Sequence, residues 1–176
     1  EGRPTRLPAV EETEEYIDYL NKEISKYISK VIAYEQNAQD SALISSYLKI
    51  TNDLERIGDH AINICEYTQT MEREQLTFSE SAQEEIRQMR ETSLRAMDVL
   101  HGFATVTVEQ LTKASAVEQQ IDDMTMNFRK HQLERLHQGT CSGETCILYS
   151  EMLTDFERIG DHMLNISRAL AAPHLN

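Results

Sequence analysis

Four pairs of carboxylates with the same spacing are the part of this sequence best suited to chemistry. They are Glu14 with Asp18, Glu55 with Asp59, Glu118 with Asp122, and Glu157 with Asp161. Residues four apart on a helix lie one above the other, so each pair places two negative charges side by side. A hard cation removes their repulsion, because carboxylate oxygens are preferred ligands of magnesium, calcium, manganese and iron. For any single pair, a solvated acidic face is the ordinary alternative.

The four pairs belong to an internal repeat. Residues Tyr47–Ile64 align without gaps on Tyr149–Ile166, and ten of the eighteen positions are identical. The identical positions include the unbroken run Glu-Arg-Ile-Gly-Asp-His at 55–60 and 157–162. The upstream pairs also match, each with an isoleucine just before its aspartate. Because the spacing recurs at matched positions, cation binding becomes a real alternative to a solvated face, and the pattern alone leaves both open.

The elements that carry these residues are predicted to be helices. Apolar residues recur every three or four positions, which predicts helices over about 10–34, 40–71, 79–101, 107–137 and 144–170. Ser79 is the expected N-cap of the third helix and Gly102 its expected stop. The predicted fold is all-α, an antiparallel helix bundle of tandem three-helix repeats.

The two repeats differ in their number of predicted helices. We assign residues 1–9 to an extended lead-in, 10–75 to a first repeat with two helices, and 76–176 to a second repeat with three. The first repeat therefore lacks its first helix, which is expected upstream of Glu1. Two helices alone leave apolar surface uncovered, and this predicts a homo-oligomer.

Two residue types inside the repeated run have predicted roles in packing. Gly58 and Gly160 interrupt helices at a cost of about 1 kcal/mol each relative to alanine, which predicts the close approach of a neighbouring helix or of a ligand. His60 and His162 directly follow the aspartates of their pairs. Neighbouring residues diverge by about 100° on a helix, so we expect helix capping, packing or an interhelical hydrogen bond for them rather than a shared metal.

Composition excludes several classes of function. The net charge of -13 argues against nucleic acid as a partner, because such proteins need a basic face. No apolar run approaches the length that spans a bilayer. Three cysteines without CxxC spacing are expected to be free thiols, although Cys141 and Cys146 are close enough in sequence to pair on oxidation.

The segments Asp53–His60 and Asp155–His162 resemble the signature of the PhoU family. The resemblance implies tandem three-helix bundles whose acidic motifs hold metal clusters. The metal would be iron, zinc, magnesium or manganese, and its identity is open. Carried over position by position, the implied metal ligands are Glu14, Asp18, Glu55, Asp59, Glu118, Asp122, Glu157 and Asp161.

The resemblance also implies a function. We expect a regulatory, metal-binding domain that controls phosphate transport, as the cytosolic part of a sodium/phosphate cotransporter at the inner face of the cell membrane. Its partners would be a membrane transporter segment or transporter subunits, with phosphate binding through the metal. One alternative is a free-standing regulator of a phosphate ABC transporter and a sensor kinase. Another is a metal-free helical adaptor.

An enzyme is not expected. No nucleophile elbow, phosphate-binding loop or dinucleotide-binding motif is present. A di-iron carboxylate site needs a histidine three residues after the glutamate, and Gly58 and Gly160 occupy those positions.

Overall fold

Five helices make up the part of the chain that the structure describes. The computed structural model describes residues 7–34, 37–100 and 106–171. The helices are α1 (Leu7–Ile32), α2 (Ala38–Arg73), α3 (Glu80–Leu100), α4 (Val108–His137) and α5 (Gly143–Ala171). No strand occurs within these ranges, so the all-α prediction is confirmed. None of the described helices is both long and apolar enough to cross a membrane.

The helix boundaries lie close to those predicted, with one correction. α1 begins at Leu7, so an extended lead-in is wrong for residues 7–9, and residues 1–6 lie outside the described chain. Pro8 fits the first turn because its missing N–H has no intrahelical partner there. Ser79 caps α3 as predicted, its hydroxyl accepting from the Ala82 N–H at 3.3 Å. The predicted stop at Gly102 lies outside the described residues.

Capping residues mark the starts of α4 and α2, and a glycine follows the end of α4. Thr107 and Gln110 form a reciprocal capping box at α4, each side chain accepting from the other residue's backbone N–H. Asn37 caps α2 through the Gln39 N–H. Gly139 follows α4 with a φ of 69°, a left-handed conformation that glycine adopts without strain.

The long helices α2 and α5 form the centre of the molecule. They run antiparallel, α1 packs on the outer side of α2, and α4 packs on the outer side of α5. A rotation that exchanges the two repeats therefore maps α1–α2 onto α4–α5. The third helix of the second repeat, α3, covers α4 and α5. No described helix occupies the equivalent position over α1 and α2.

The main core lies in the second repeat. One apolar cluster joins α3, α4 and α5, and its fully buried members are Met89, Ile121, Tyr149 and Leu153. A second cluster around Ile57, Ile159 and Met163 joins α2 to α5. α1 contributes to neither cluster. The α4–α5 half is therefore set in a complete three-helix core, and the α1–α2 half is attached to it through α2.

Candidate functional site

The carboxylates of the first repeat converge between α1 and α2. Glu14 and Asp18 project from α1 toward Asp59 of α2, and one carboxylate oxygen from each can be chosen so that all three lie within 4.8 Å of one another. All three side chains are partly buried, so they face a groove between the helices rather than the core. We call these residues, together with Glu55, the α1–α2 carboxylate site. Such a set of oxygen donors fits a hard cation.

Glycines in the middle of α2 and α5 lie against the neighbouring helices α1 and α4. A Cβ placed on Gly58 would lie 3.5 Å from Ile17 Cδ1 of α1. In the second repeat, a Cβ on Gly160 would lie 3.0 Å from Ile121 Cδ1 of α4. The predicted close approach of a neighbouring helix is confirmed at Gly160, where an added Cβ would crowd Ile121; at Gly58 it would make an ordinary van der Waals contact with Ile17. Each glycine also adjoins the aspartate that faces the neighbouring helix, so the approach brings the carboxylates together.

Negative charge at the α1–α2 carboxylate site is only partly compensated. Burial, followed by the charges of Asp18 and Asp59, raises the pKa of Glu14 above its ordinary value. Burial and Asp59 likewise raise the pKa of Glu55. Two cations lie nearby: the Arg56 guanidinium is 3.3 Å from Asp59 and 3.6 Å from Glu55, and Lys22 Nζ is 3.8 Å from Asp18. The site therefore favours a bound proton or cation.

The second repeat positions the same four residue types differently. Glu118 and Asp122 of α4 face Asp161 of α5, and burial followed by neighbouring acids raises the pKa of both α4 carboxyls. Glu157 lies 3.4 Å from the Arg129 guanidinium, which also donates to Thr154 at 2.8 Å. Within the described chain, the second repeat contains no group of three acids as close as that of the first. We call this set the α4–α5 carboxylate site.

Sequence reasoning missed the cations that separate the two sites. Arg129 corresponds to Ser25 in the first repeat, and Arg168, whose charge acts on Glu118, corresponds to Glu66. Aligning α1 on α4, and extending the alignment of α2 on α5 beyond residue 64, would have found both differences. The α1–α2 carboxylate site is therefore the more negative of the two and the better candidate for a cation.

A reciprocal pair of histidine–aspartate contacts joins the two repeats. His60 Nδ1 lies 2.6 Å from Asp155 Oδ1, and His162 Nδ1 lies 2.8 Å from Asp53 Oδ1. The two imidazole rings stack with centroids 5.6 Å apart. The predicted interhelical hydrogen bond is confirmed for both histidines. Asp53 and Asp155 were not predicted as their partners, although they are identical positions of the repeat.

A buried polar network fixes α3 on the second repeat. Glu85 of α3 accepts from Arg135 at 2.6 Å, from the Tyr149 hydroxyl, and lies 2.7 Å from His131 Nδ1. Burial alone would raise the pKa of Glu85, but these hydrogen bonds lower it. The Arg135 guanidinium also lies 5.3 Å from the Tyr149 ring centroid. Arg135, Tyr149 and His131 all direct polar atoms at Glu85, so this network stabilises the docking of α3 on the second repeat.

All three cysteines are free thiols in the structure, as expected. Burial and the neighbouring Cys141 raise the pKa of Cys146, and burial raises the pKa of Cys65. Raised thiol pKa values reduce the thiolate fraction and with it the reactivity toward oxidants.

Known proteins resemble this chain in sequence and in fold. The PhoU domain family model matches residues 2–68 and 86–170. The phosphate-specific transport system accessory protein PhoU homolog 1 of Thermotoga maritima is 31% identical over 157 residues, which are 88% of this chain and 67% of that protein. A PhoU homolog of Xylella fastidiosa is 27% identical over 158 residues, covering 88% of this chain and 64% of its own length.

A solved structure agrees with these sequence matches. The crystal structure of the phosphate transport system regulatory protein PhoU from Streptococcus pneumoniae superposes with a TM-score of 0.76 at 23% identity. The match covers 96% of this chain and 79% of that one, and it shows a shared fold. The chain spans about two thirds of the length of the curated relatives described above. On the family match and the internal repeat together, the chain belongs to the PhoU domain family.

Proposed function

We propose that this chain is a regulatory accessory domain of a phosphate transport system, and that a cation bound at the α1–α2 carboxylate site is part of its regulation. The observation that carries the proposal is the convergence of Glu14, Asp18 and Asp59 within 4.8 Å in a chain of the PhoU domain family. Relatives of this chain are named as accessory proteins of phosphate-specific transport systems. An accessory role requires no catalytic group, and we propose none.

The free-standing regulator is the better supported form of this proposal. The relatives are named as accessory proteins of transport systems, and that description fits a regulator of a phosphate ABC transporter and a sensor kinase. It does not specifically support the tail of a sodium/phosphate cotransporter. We therefore favour the regulator over the cotransporter domain predicted from sequence, with action at the cytoplasmic face of the transporter as part of the proposal.

The geometry also favours one carboxylate site over the other for the cation. Three carboxylates supply three oxygen ligands, and a hard cation completes its shell with further oxygens from water or phosphate. The acidic helices alone would repel phosphate, so phosphate binding at this site depends on the metal. Iron, zinc, magnesium and manganese are the candidate cations. At the α4–α5 carboxylate site, Arg129 and Arg168 already supply positive charge.

A candidate partner surface lies on α1 and α2, on the face that no described helix covers. Three apolar positions covered by α3 in the second repeat are open in the first. Phe128, Tyr149 and Phe156 are 8%, 0% and 6% exposed, whereas Ile24, Tyr47 and Leu54 at the equivalent positions are 39%, 49% and 49% exposed. Contiguous apolar surface of this kind marks a site of protein contact.

Side-chain chemistry indicates that this surface is covered by an apolar partner. The α4 side chains that form hydrogen bonds or ion pairs with α3 correspond to less polar residues in α1. They are Gln120, His131 and Arg135 in α4, and Tyr16, Tyr27 and Val31 in α1. Two copies of the chain can meet through these tyrosine and aliphatic side chains by apolar contact, although Tyr16 lies beside Glu12 and Glu15 and the net charge is -13. We therefore assign the proposed homo-oligomer contact to this α1–α2 apolar face.

Cells that lack the gene and are complemented with variants test the proposed function. We expect loss of the gene to change how phosphate uptake responds to external phosphate, and the wild-type gene to restore the response. Asp59→Asn should restore it less well than Asp161→Asn, because Asp59 belongs to the converging acids and Asp161 to the compensated site. Unchanged uptake in the deletion strain would contradict a regulatory role.

Calorimetric titration of the metal-free protein with Mn²⁺ provides the matching binding measurement. We expect Asp59→Asn to weaken binding at least about tenfold, equivalent to 1.4 kcal/mol, and Asp161→Asn to weaken it much less. The two variants remove the same charge at matched repeat positions, so net charge is controlled. Equal affinities in both variants and the wild type would exclude the α1–α2 carboxylate site as the cation site.

A further inference from the structure

A groove on one side of the α2–α5 pair has a composition unlike the rest of this acidic protein. It encloses about 490 Å³ and lies beside the reciprocal histidine–aspartate contacts. Its lining is Ser46, Lys49, Asn52 and Asp53 from α2, with Asn165, Arg168 and Ala169 from α5. We call it the Lys49–Arg168 groove. It is separate from the converging acids between α1 and α2.

The donors in this groove are available to a ligand. Lys49 and Arg168 form no ion pair with any residue that the structure describes, whereas Arg56, Arg129 and Arg158 all do. Burial and neighbouring acids raise the pKa of Glu118 and the charge of Arg168 partly offsets that rise, but no described residue holds the Arg168 guanidinium in an ion pair. The acid in the lining, Asp53, is already bound by His162 at 2.8 Å. The groove thus presents an ammonium, a guanidinium, two side-chain amides and a hydroxyl. These groups are hydrogen-bond donors suited to an oxyanion.

The internal repeat supplies a comparison for every lining position. The exchange of repeats maps the groove onto the opposite side of the α2–α5 pair, where Glu151 replaces Lys49 and Glu66 replaces Arg168. Tyr67 occupies the position equivalent to Ala169, whose small side chain leaves the Lys49–Arg168 groove open. Burial and the charge of Asp155, with those of Glu151 and Glu66, raise the pKa of Tyr67 to about 12, which places these residues together.

The two sides of the α2–α5 pair therefore differ consistently in charge and in hydrogen-bonding groups. Ser46 and Asn52 are equivalent to Leu148 and Thr154 in the other repeat. The groove therefore has more hydrogen-bonding groups than the opposite side at the positions where the repeats differ. Asp53 and Asn165 keep the identities of their counterparts, Asp155 and Asn63. One side is open and basic, and the other is filled by a phenol ring and flanked by acids.

We propose that the Lys49–Arg168 groove binds a phosphate oxyanion directly, without a metal. The planar guanidinium can donate two parallel hydrogen bonds to one phosphate, while the lysine acts as a flexible point charge. The amides of Asn52 and Asn165 provide uncharged donors on either side. This proposal deepens the phosphate-linked function above but does not depend on cation binding by the carboxylates.

Titration of the chelator-treated, metal-free protein with inorganic phosphate tests this proposal. The double variant Lys49→Glu/Arg168→Glu copies the acids of the opposite side, and we expect it to bind phosphate at least about tenfold more weakly than wild type. The control Lys30→Glu/Arg90→Glu makes the same change in net charge at exposed positions outside the groove and should leave the affinity unchanged.

The other outcomes are equally decisive. No phosphate binding in the metal-free protein would overturn the groove proposal while leaving cation binding at Asp59 intact. An equal loss in both double variants would show that net charge, rather than the groove, determines binding, and would also overturn it. Acetate that competes as well as phosphate would overturn the assignment to a phosphate oxyanion. Selective loss in the groove variant, with weak competition by acetate, supports it.

Discussion

The α1–α2 pair and the α4–α5 pair are built from the same repeated sequence, and they have different surroundings. α4 and α5 are covered by α3, whose Glu85 is held by Arg135 and Tyr149. α1 and α2 have no such cover among the described helices, and Tyr47, the counterpart of Tyr149, is half exposed. The comparison shows that one repeat unit can be a core component in one place and an exposed surface in another.

The charged groups of the two halves differ in the same systematic way. Both halves keep four acids and the arginine of the repeated run. That arginine pairs with the aspartate three residues later in each half, Arg56 with Asp59 and Arg158 with Asp161. The second half adds Arg129 on Glu157. Identical motifs therefore produce a more compensated site in the α4–α5 half and a less compensated one in the α1–α2 half. Three substitution experiments test how far this contrast extends.

The largest contrast is expected in stability. Phe156→Ala should destabilise the protein by about 3–5 kcal/mol, because it leaves a cavity in the core beneath α3. Leu54→Ala at the matched position should cost no more than about 1 kcal/mol, because that side chain is half exposed. Urea unfolding followed by circular dichroism measures both free energies of unfolding. Similar losses in the two variants would mean that Leu54 is covered in solution as Phe156 is.

A smaller effect is expected on self-association. Leu54→Glu places a charge on the α1–α2 apolar face and should shift the dimer toward monomer by at least about tenfold in dissociation constant. Leu133→Glu, on an exposed position of α4, is the control and should not change the equilibrium. Sedimentation velocity over a range of concentrations measures both. A wild-type protein that stays monomeric at high concentration would refute the dimer, and the open face would then belong to a different partner.

The smallest effect concerns pH. The pKa of Glu14 and of Glu55 is raised in the folded state above the ordinary value of 4.5, so the folded state binds protons more tightly than the unfolded state. Their contribution to stability is therefore greatest at low pH and declines as pH rises above about 4.5. In metal-free protein, Glu14→Gln/Glu55→Gln should gain melting temperature relative to wild type as pH increases from 4 to 7.

Added Mn²⁺ sharpens this last comparison. The cation should stabilise the wild type at pH 7, because it neutralises the same carboxylates, and should stabilise the variant less. In the metal-free protein, the contradicting result is a difference in melting temperature between variant and wild type that stays constant with pH. It would show that the folded and unfolded states bind protons equally at the α1–α2 carboxylate site.

Much of the fold could be predicted from local sequence. The apolar period places five helices to within a few residues, since helix formation depends on nearby side chains and on caps such as Ser79 and Thr107. The start of α1 was predicted too late, because Pro8 signals a break in most contexts and is tolerated in a first helical turn. The repeat likewise identified the four matched pairs of acids as candidate cation ligands.

The sequence alone determined the repeated motif, the helices that carry it and the acidic character of both carboxylate sites, because each depends on residue type and spacing along one helix. Tertiary structure decided which acids converge, since that depends on how closely α1 approaches α2 at Gly58. It also paired His60 with Asp155, paired His162 with Asp53, and opened a groove between Lys49 and Arg168. These contacts join residues far apart in the chain, where no local pattern determines distance.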